Sequence, residues 1–522
     1  MRILEGHMIT CDKKKRVCRF LVEDKGKIKY VGDLLPAQFP KKDIVNLGEK
    51  SVLPAFVDSH IHFASYAMFS AGLDIRHSTS LEEMKETIHA FSRHHRCDII
   101  LGFGASSHSV KEKRLPSKDD IDAVCADRPV IIVKYDGHAC IINSKLMGIL
   151  PTGIRKMRGF HHASGEMNQE AFFAVTDFVT HRISTLQMAR NMLSGVDRLA
   201  GKGIGLFHTV SGVGFPRDLD VSLECFLGRG LRSSMQVRVF FQTMDVDKVL
   251  KRKLPRLGGC FATALDGCFG SVDAALERPY SHNKENLGVL FYSDARVDQF
   301  VKEANRADLQ VEMHTIGDAA FAQAVSAIEK ALRDYPRSDH RHTLIHACLP
   351  TEKGLEKCAR LGISIALQPA FLRWELEPLS YLETILGDRA YAISPLRKMA
   401  DMGIKMSGGS DAPCTLPDPI LGIFAACNHY VSDQSLTVQE AIDLYTVNGA
   451  WTTFDENERG SLEEGKYADY IILNKNPLSL DPGNLLELRV EQLYLAGKEY
   501  QSGQHIPSLL WNGVMHRILH FK

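Results

Sequence analysis

Eight short apolar runs separated by helix-length stretches constrain this chain more than any other feature of it. They are Leu53–Phe63, Gly203–His208, Ser233–Phe241, Phe261–Leu265, Leu309–Met313, His342–Ile345, Ile363–Leu367 and Ile404–Ser407. Strands buried on both faces read as continuous apolar runs, and strands alternating with helices form parallel sheets. Eight such units predict a closed (β/α)8 barrel. At 522 residues the chain is long enough for a barrel plus further structure.

In such a barrel the reactive side chains stand at the C-terminal strand ends. The first run ends in His60-Ile61-His62. Side chains alternate along a strand, so both imidazoles point the same way, and paired neutral imidazoles suit a divalent metal such as zinc. The fifth run ends at His314, the sixth at His346 and the eighth at Gly409-Ser410-Asp411. His60, His62, His314, His346 and Asp411 are therefore the expected metal ligands. Asp266, in Asp266-Gly267 after the fourth run, is expected to contact substrate.

The two chain ends read differently. Arg2–Thr10, Val17–Val22 and Lys27–Val31 are strand-like but too few to bury a core alone. Asp469–Leu473 and Val490–Lys498 are strand-like too, so residues 1–52 and 461–522 are expected to combine into a small β-sandwich. Residues 53–460 then form the barrel, with residues from about 64 to 167 inserted as a lobe over its mouth. One long helical segment is expected over Gln169–Ala200.

Lys+Arg and Asp+Glu each total 63, which argues against nucleic acid or an anionic membrane as the main partner. No apolar run reaches the ~20 residues that span a bilayer. The 12 cysteines include no Cys-x-x-Cys pair, which points to reduced thiols and a cytoplasmic protein.

Several blocks carry a family likeness. Leu53-Pro54-Ala55-Phe56-Val57-Asp58-Ser59-His60-Ile61-His62 resembles the first-strand signature of the amidohydrolase superfamily, with Ala55 where Gly is usual. Asp136-Gly137-His138 with Asn143-Ser144, His314-Thr315-Ile316-Gly317-Asp318, Gly409-Ser410-Asp411-Ala412-Pro413 and Arg459–Asp469 are similar to blocks of the branch that includes N-substituted formamide deformylase. The resemblance implies metal-assisted hydrolysis of a small molecule at a non-peptide C–N bond, such as an N-acyl, N-formyl or cyclic amide. Asp411 would be the general base, and His138 would reach from the lobe to the substrate or to a developing oxyanion. One or two divalent ions are implied. Where relatives hold two, Glu170 or a carboxylated Lys134 would bridge them. The family pattern often places lysine before the strand ending in Asp-Gly, and here Ala262 falls near that position. Family habit implies a homodimer. Two other readings share the fold: a mononuclear deaminase of a small heterocycle using His60, His62, His314 and Asp411, and a non-catalytic scaffold.

Overall fold

A computed structural model gives the architecture. It describes residues 1–40, 43–95, 97–231, 235–503, 506–509 and 511–512. Ser233 and Ser234, where the third expected strand begins, and residues 513–522 of the expected C-terminal β portion lie outside the described residues.

Eight parallel strands form the central sheet: β1 (Phe56–Ile61), β2 (Ile204–Ser211), β3 (Gln236–Phe241), β4 (Arg256–Ala264), β5 (Gln310–Thr315), β6 (Thr343–His346), β7 (Ser364–Leu367) and β8 (Met406–Gly408). They follow one another in sequence order around the barrel. The seam between β8 and β1 is closed just beyond the strand ends. Asp411 N donates to the His60 carbonyl at 2.8 Å and His62 N to the Ala412 carbonyl at 3.0 Å. Asp58 Oδ1 accepts from both His60 N (3.2 Å) and Ser410 N (3.0 Å). Every residue of β1, β2, β5, β6 and β7 is buried, which is why these runs read as apolar without alternation.

The outer helices show the complementary pattern. In Asp318–Asp334, Phe321, Ala324, Ile328 and Ala331 are buried at helical spacing against the barrel. Each large side chain so buried stabilises the fold by roughly 1.5–3 kcal/mol.

The expected helix Gln169–Ala200 is two helices, Gln169–Thr180 and Thr185–Gly201. Ser184 explains the break: its side chain accepts from Gln187 N and caps the second helix. The two helices also face different cores. Phe172, Val175 and Val179 pack with lobe strands, whereas Met188, Met192, Val196 and Leu199 pack on the barrel.

The lobe is built on a five-stranded sheet whose members run from Leu73–Asp74 to Glu166–Asn168. Strands from the two chain ends share one seven-stranded sheet, with Ile44–Pro54 between Arg2–Ile9 and Tyr470–Leu473. Ile44–Pro54 hands the chain to β1 through Ala55 alone. Among the described residues no helix is long and apolar enough to cross a membrane.

Candidate metal centre

The barrel strands bring together six side chains. His60, His62, Cys260 and Asp411 offer ligand atoms that all lie within 4.8 Å of one another, and so do Cys260, His314 and His346. His60 and His62 come from β1 and the residue after it, His314 from β5 and His346 from β6. Asp411 follows β8, and Cys260 comes from the middle of β4. All six are buried.

The contacts are those of groups converging on a common point. Asp411 Oδ1 stands 3.1 Å from His60 Nε2 and 3.2 Å from His62 Nε2. Yet Oδ1 lacks an aligned hydrogen-bond donor among the described residues. His346 Nδ1–H donates to Gln368 Oε1 at 2.5 Å, so its Nε2 lone pair faces inward. Gln368 is itself oriented by donation from its amide nitrogen to the Ala366 carbonyl at 3.3 Å. His314 Nε2–H donates to the Gly267 carbonyl at 3.1 Å, which leaves Nδ1 buried and without a hydrogen-bond partner among the described residues. Hydrogen bonding one imidazole nitrogen to present the other is the usual support of a metal-ligating histidine.

Charge states agree with that use. Burial holds His60 and His314 below the usual histidine range and takes His346 down to about 4, so all three are neutral imidazoles. Burial alone would push Asp411 up, but His60 and His62 hold it well below the usual carboxylate range. Neutral imidazoles with a carboxylate form a donor set suited to a divalent cation. A buried acceptor and a buried imidazole nitrogen without partners are costly unless something binds them. The residues present therefore fit a divalent metal.

The backbone is strained where these groups are aimed. Phe261, His346 and Asp411 have φ of 47°, 67° and 54°, in the left-handed region that non-glycine residues rarely adopt. Such strain, of order 1–3 kcal/mol each, gathers at functional sites.

The other expected site residues are not among the converging ligands. Asp266 is fully buried and spends its oxygens on the backbone amides of Ala275 (2.9 Å), Ile316 (3.0 Å) and Gly317 (2.7 Å). Burial pushes its carboxyl up to about 8, against the pull of those amides. It ties the loop after β5 beside His314, whose Nε2 is 3.5 Å away. Glu170 lies in the first turn of Gln169–Thr180 with its side chain 63% exposed, 3.9 Å from Arg158. Lys134 Nζ is 2.7 Å from Asp136 and donates to the Gly270 carbonyl at 3.1 Å, so it is a paired ammonium. Glu170 is not in the converging set, and the Lys134 ammonium is committed to Asp136 and the Gly270 carbonyl. His138 lines the chamber above the cluster, its ring 6.0 Å from that of Phe261.

Cys260 was not among the expected ligands: it lies one residue before the expected run Phe261–Leu265, in the stretch where β4 departs from regular pairing between Gly259 and Ala264. The pair Gly258-Gly259 is the sequence signal of that irregularity.

Above the cluster lies a mostly apolar chamber. Phe69, Phe103, Ile131 and Phe172 of the lobe side face Phe261 and Trp374 of the barrel side. Phe371 stacks on Trp374 at 4.8 Å and lies 5.9 Å from the His346 ring, so an aromatic wall leads down to the ligands. Polar groups on this lining are few, and His138, Asp136 and Glu377 are among them.

Barrel, strand-end ligands and covered mouth together define a metal-dependent hydrolase. The chain belongs to the amidohydrolase family, whose signature matches residues 43–500. It is 26% identical to YtcJ of Bacillus subtilis over 493 residues, which cover 88% of this chain and 90% of that one. It is 22% identical to the N-substituted formamide deformylase of Arthrobacter pascens, covering 95% and 97% of the two chains. An uncharacterized metal-dependent hydrolase from Pyrococcus furiosus has a crystal structure that superposes with a TM-score of 0.72 at 26% identity, covering 92% and 100%.

Proposed function

We propose that the protein hydrolyses a carbon–nitrogen bond in a small, largely apolar N-acyl, N-formyl or cyclic amide, with zinc as the metal. One observation carries this reading: the chamber over the converging ligands is lined largely by aromatic and aliphatic side chains, among them Phe69, Phe103, Phe172, Phe261 and Trp374. Such walls favour an aromatic or aliphatic body over a charged one. The name of the Arthrobacter relative, an N-substituted formamide deformylase, points to the same bond type.

His60, His62, Cys260, Asp411, His314 and His346 would hold the metal. A divalent ion bound there supplies Lewis acidity, which polarises a carbonyl and lowers the pKa of water from 15.7 to about 7. Asp411 is kept ionised by His60 and His62. One of its carboxylate oxygens takes the proton of the attacking water and returns it to the leaving nitrogen. His138, on the chamber lining, donates a hydrogen bond to the oxygen on which charge develops. The lobe excludes bulk water from the reacting groups and orients the apolar body against Phe371 and Trp374.

The test is hydrolysis by zinc-loaded protein across a matched panel of amides with aromatic, aliphatic and charged bodies. Turnover should favour the apolar members, and Asp411→Asn should lower kcat by about 10²–10⁴-fold. A preference for charged bodies, or an Asp411→Asn variant of undiminished kcat, would overturn the reading.

A further inference from the structure

We infer that the Cys260 thiolate is the ligand shared by two divalent ions, one held with His60, His62 and Asp411 and the other with His314 and His346. The inference deepens the metal-centre reading above and rests on it. Cys260 is the one residue common to the two converging sets. Its Sγ lies 3.4 Å from His60 Nε2 and 3.6 Å from His346 Nε2, so it faces one imidazole of each set. Around a tetrahedral zinc with bonds of about 2.1 Å to nitrogen and 2.3 Å to sulfur, the N···S separation is about 3.6 Å. Both observed separations match that value.

The thiol sulfur meets an imidazole nitrogen from each of the two sets, which places it between them. His346 has already spent its Nδ1–H on Gln368, so its Nε2 is an acceptor that needs a partner. The candidates for a bridging carboxylate or carbamate are absent from the set: Glu170 is on an exposed helix turn, and the Lys134 ammonium is paired with Asp136. Cys260 also sits where β4 departs from regular pairing, and that irregularity carries its side chain into the cluster. Ions binding there displace the thiol proton: the S–H bond breaks, metal–sulfur bonds form, and the proton passes to solvent.

The experiment uses the full chain reconstituted with zinc, with metal content from elemental analysis and sulfur coordination from X-ray absorption at the zinc edge. A shared thiolate predicts two zinc ions per chain and one sulfur neighbour for every zinc. Cys260→Ser should remove the sulfur signal and weaken zinc binding by more than about tenfold. Two zinc ions sharing half a sulfur each on average would show a thiolate on one ion only. That result, a sulfur-free zinc shell, or a single tightly held ion would each overturn the inference. The wild-type spectrum decides even if Cys260→Ser fails to fold. Sulfur-free zinc with amide hydrolysis intact would remove the bridge alone, whereas the full sulfur signal without hydrolysis would remove the substrate reading alone.

Discussion

Gln368 decides which nitrogen of His346 faces the cluster, since Nδ1–H is committed to its side-chain oxygen. Gln368→Leu should leave the barrel folded yet lower metal affinity about 10–100-fold, measured by competition with a chromogenic chelator. Unchanged affinity would show that packing alone orients the ring. At this scale the sequence exposes much of the cluster. His60, His62, His314, His346 and Asp411 stand at the ends of apolar runs, and strand ends in a parallel barrel converge on the axis. What it hides is register. Cys260 lies one residue before the expected run Phe261–Leu265, in the segment of β4 where pairing breaks. Glu170 is misleading for the opposite reason: a local likeness to a family block carries no information about which way a helix turn faces.

Strand β4 is the element on which the cluster most depends. Gly258 has φ of 108°, and a Cβ there would lie 1.9 Å from the Glu312 carbonyl oxygen. Gly258→Ala should therefore destabilise the fold by about 1–3 kcal/mol and reduce the metal retained per chain. A stable variant with full metal content would show that β4 can repack without moving Cys260. The helix Leu219–Gly230 supplies a second test, of pH dependence. Its Glu224 is fully buried with the Ser211 hydroxyl donating to it, and burial pushes its carboxyl up to about 8. The folded protein then keeps a proton there that the unfolded chain releases near pH 4.5, so this residue's contribution to stability is lost as pH rises from about 4.5 to 8. Glu224→Gln should flatten that slope in urea midpoints taken across the range; an identical slope would assign the effect elsewhere. The barrel strands were legible as elements because burial on both faces makes them uniformly apolar. The break at 181–184 was less so, since Phe172 and Met188 look alike in sequence although they serve different cores.

On the scale of the whole molecule, the terminal sheet is tied to the barrel through charge as well as pairing. Arg459 Nε donates to Asp469 Oδ2 at 2.8 Å, with both side chains buried, and Asp469 Oδ1 accepts from Ala496 N at 2.6 Å. The Asp469 carbonyl accepts from Ala55 N at 3.0 Å, at the junction where the chain passes from the terminal sheet into β1. Arg459→Met would strand a buried carboxylate and should reduce stability by about 3–5 kcal/mol, read as a fall in the urea midpoint. A loss below about 1 kcal/mol would mean that Asp469 keeps its partners without the arginine. This anchoring bears on the site, because β1 delivers His60 and His62 directly from that junction. The joining of the two ends was legible in outline from unpaired strand-like runs at both termini. Their order within one sheet was not, because pairing between residues more than 400 positions apart leaves no local pattern.

The claim on which all of this depends is that the strand-end cluster is a divalent metal centre. Elemental analysis of protein purified without chelator tests it most directly, comparing the wild type with a His60→Ala/His62→Ala variant that retains its fold by circular dichroism. The wild type should carry stoichiometric divalent metal, and the variant should lose at least the ion that these two histidines hold, together with hydrolysis. Metal-free wild type that cannot be loaded, or a variant with the same metal content, would contradict it.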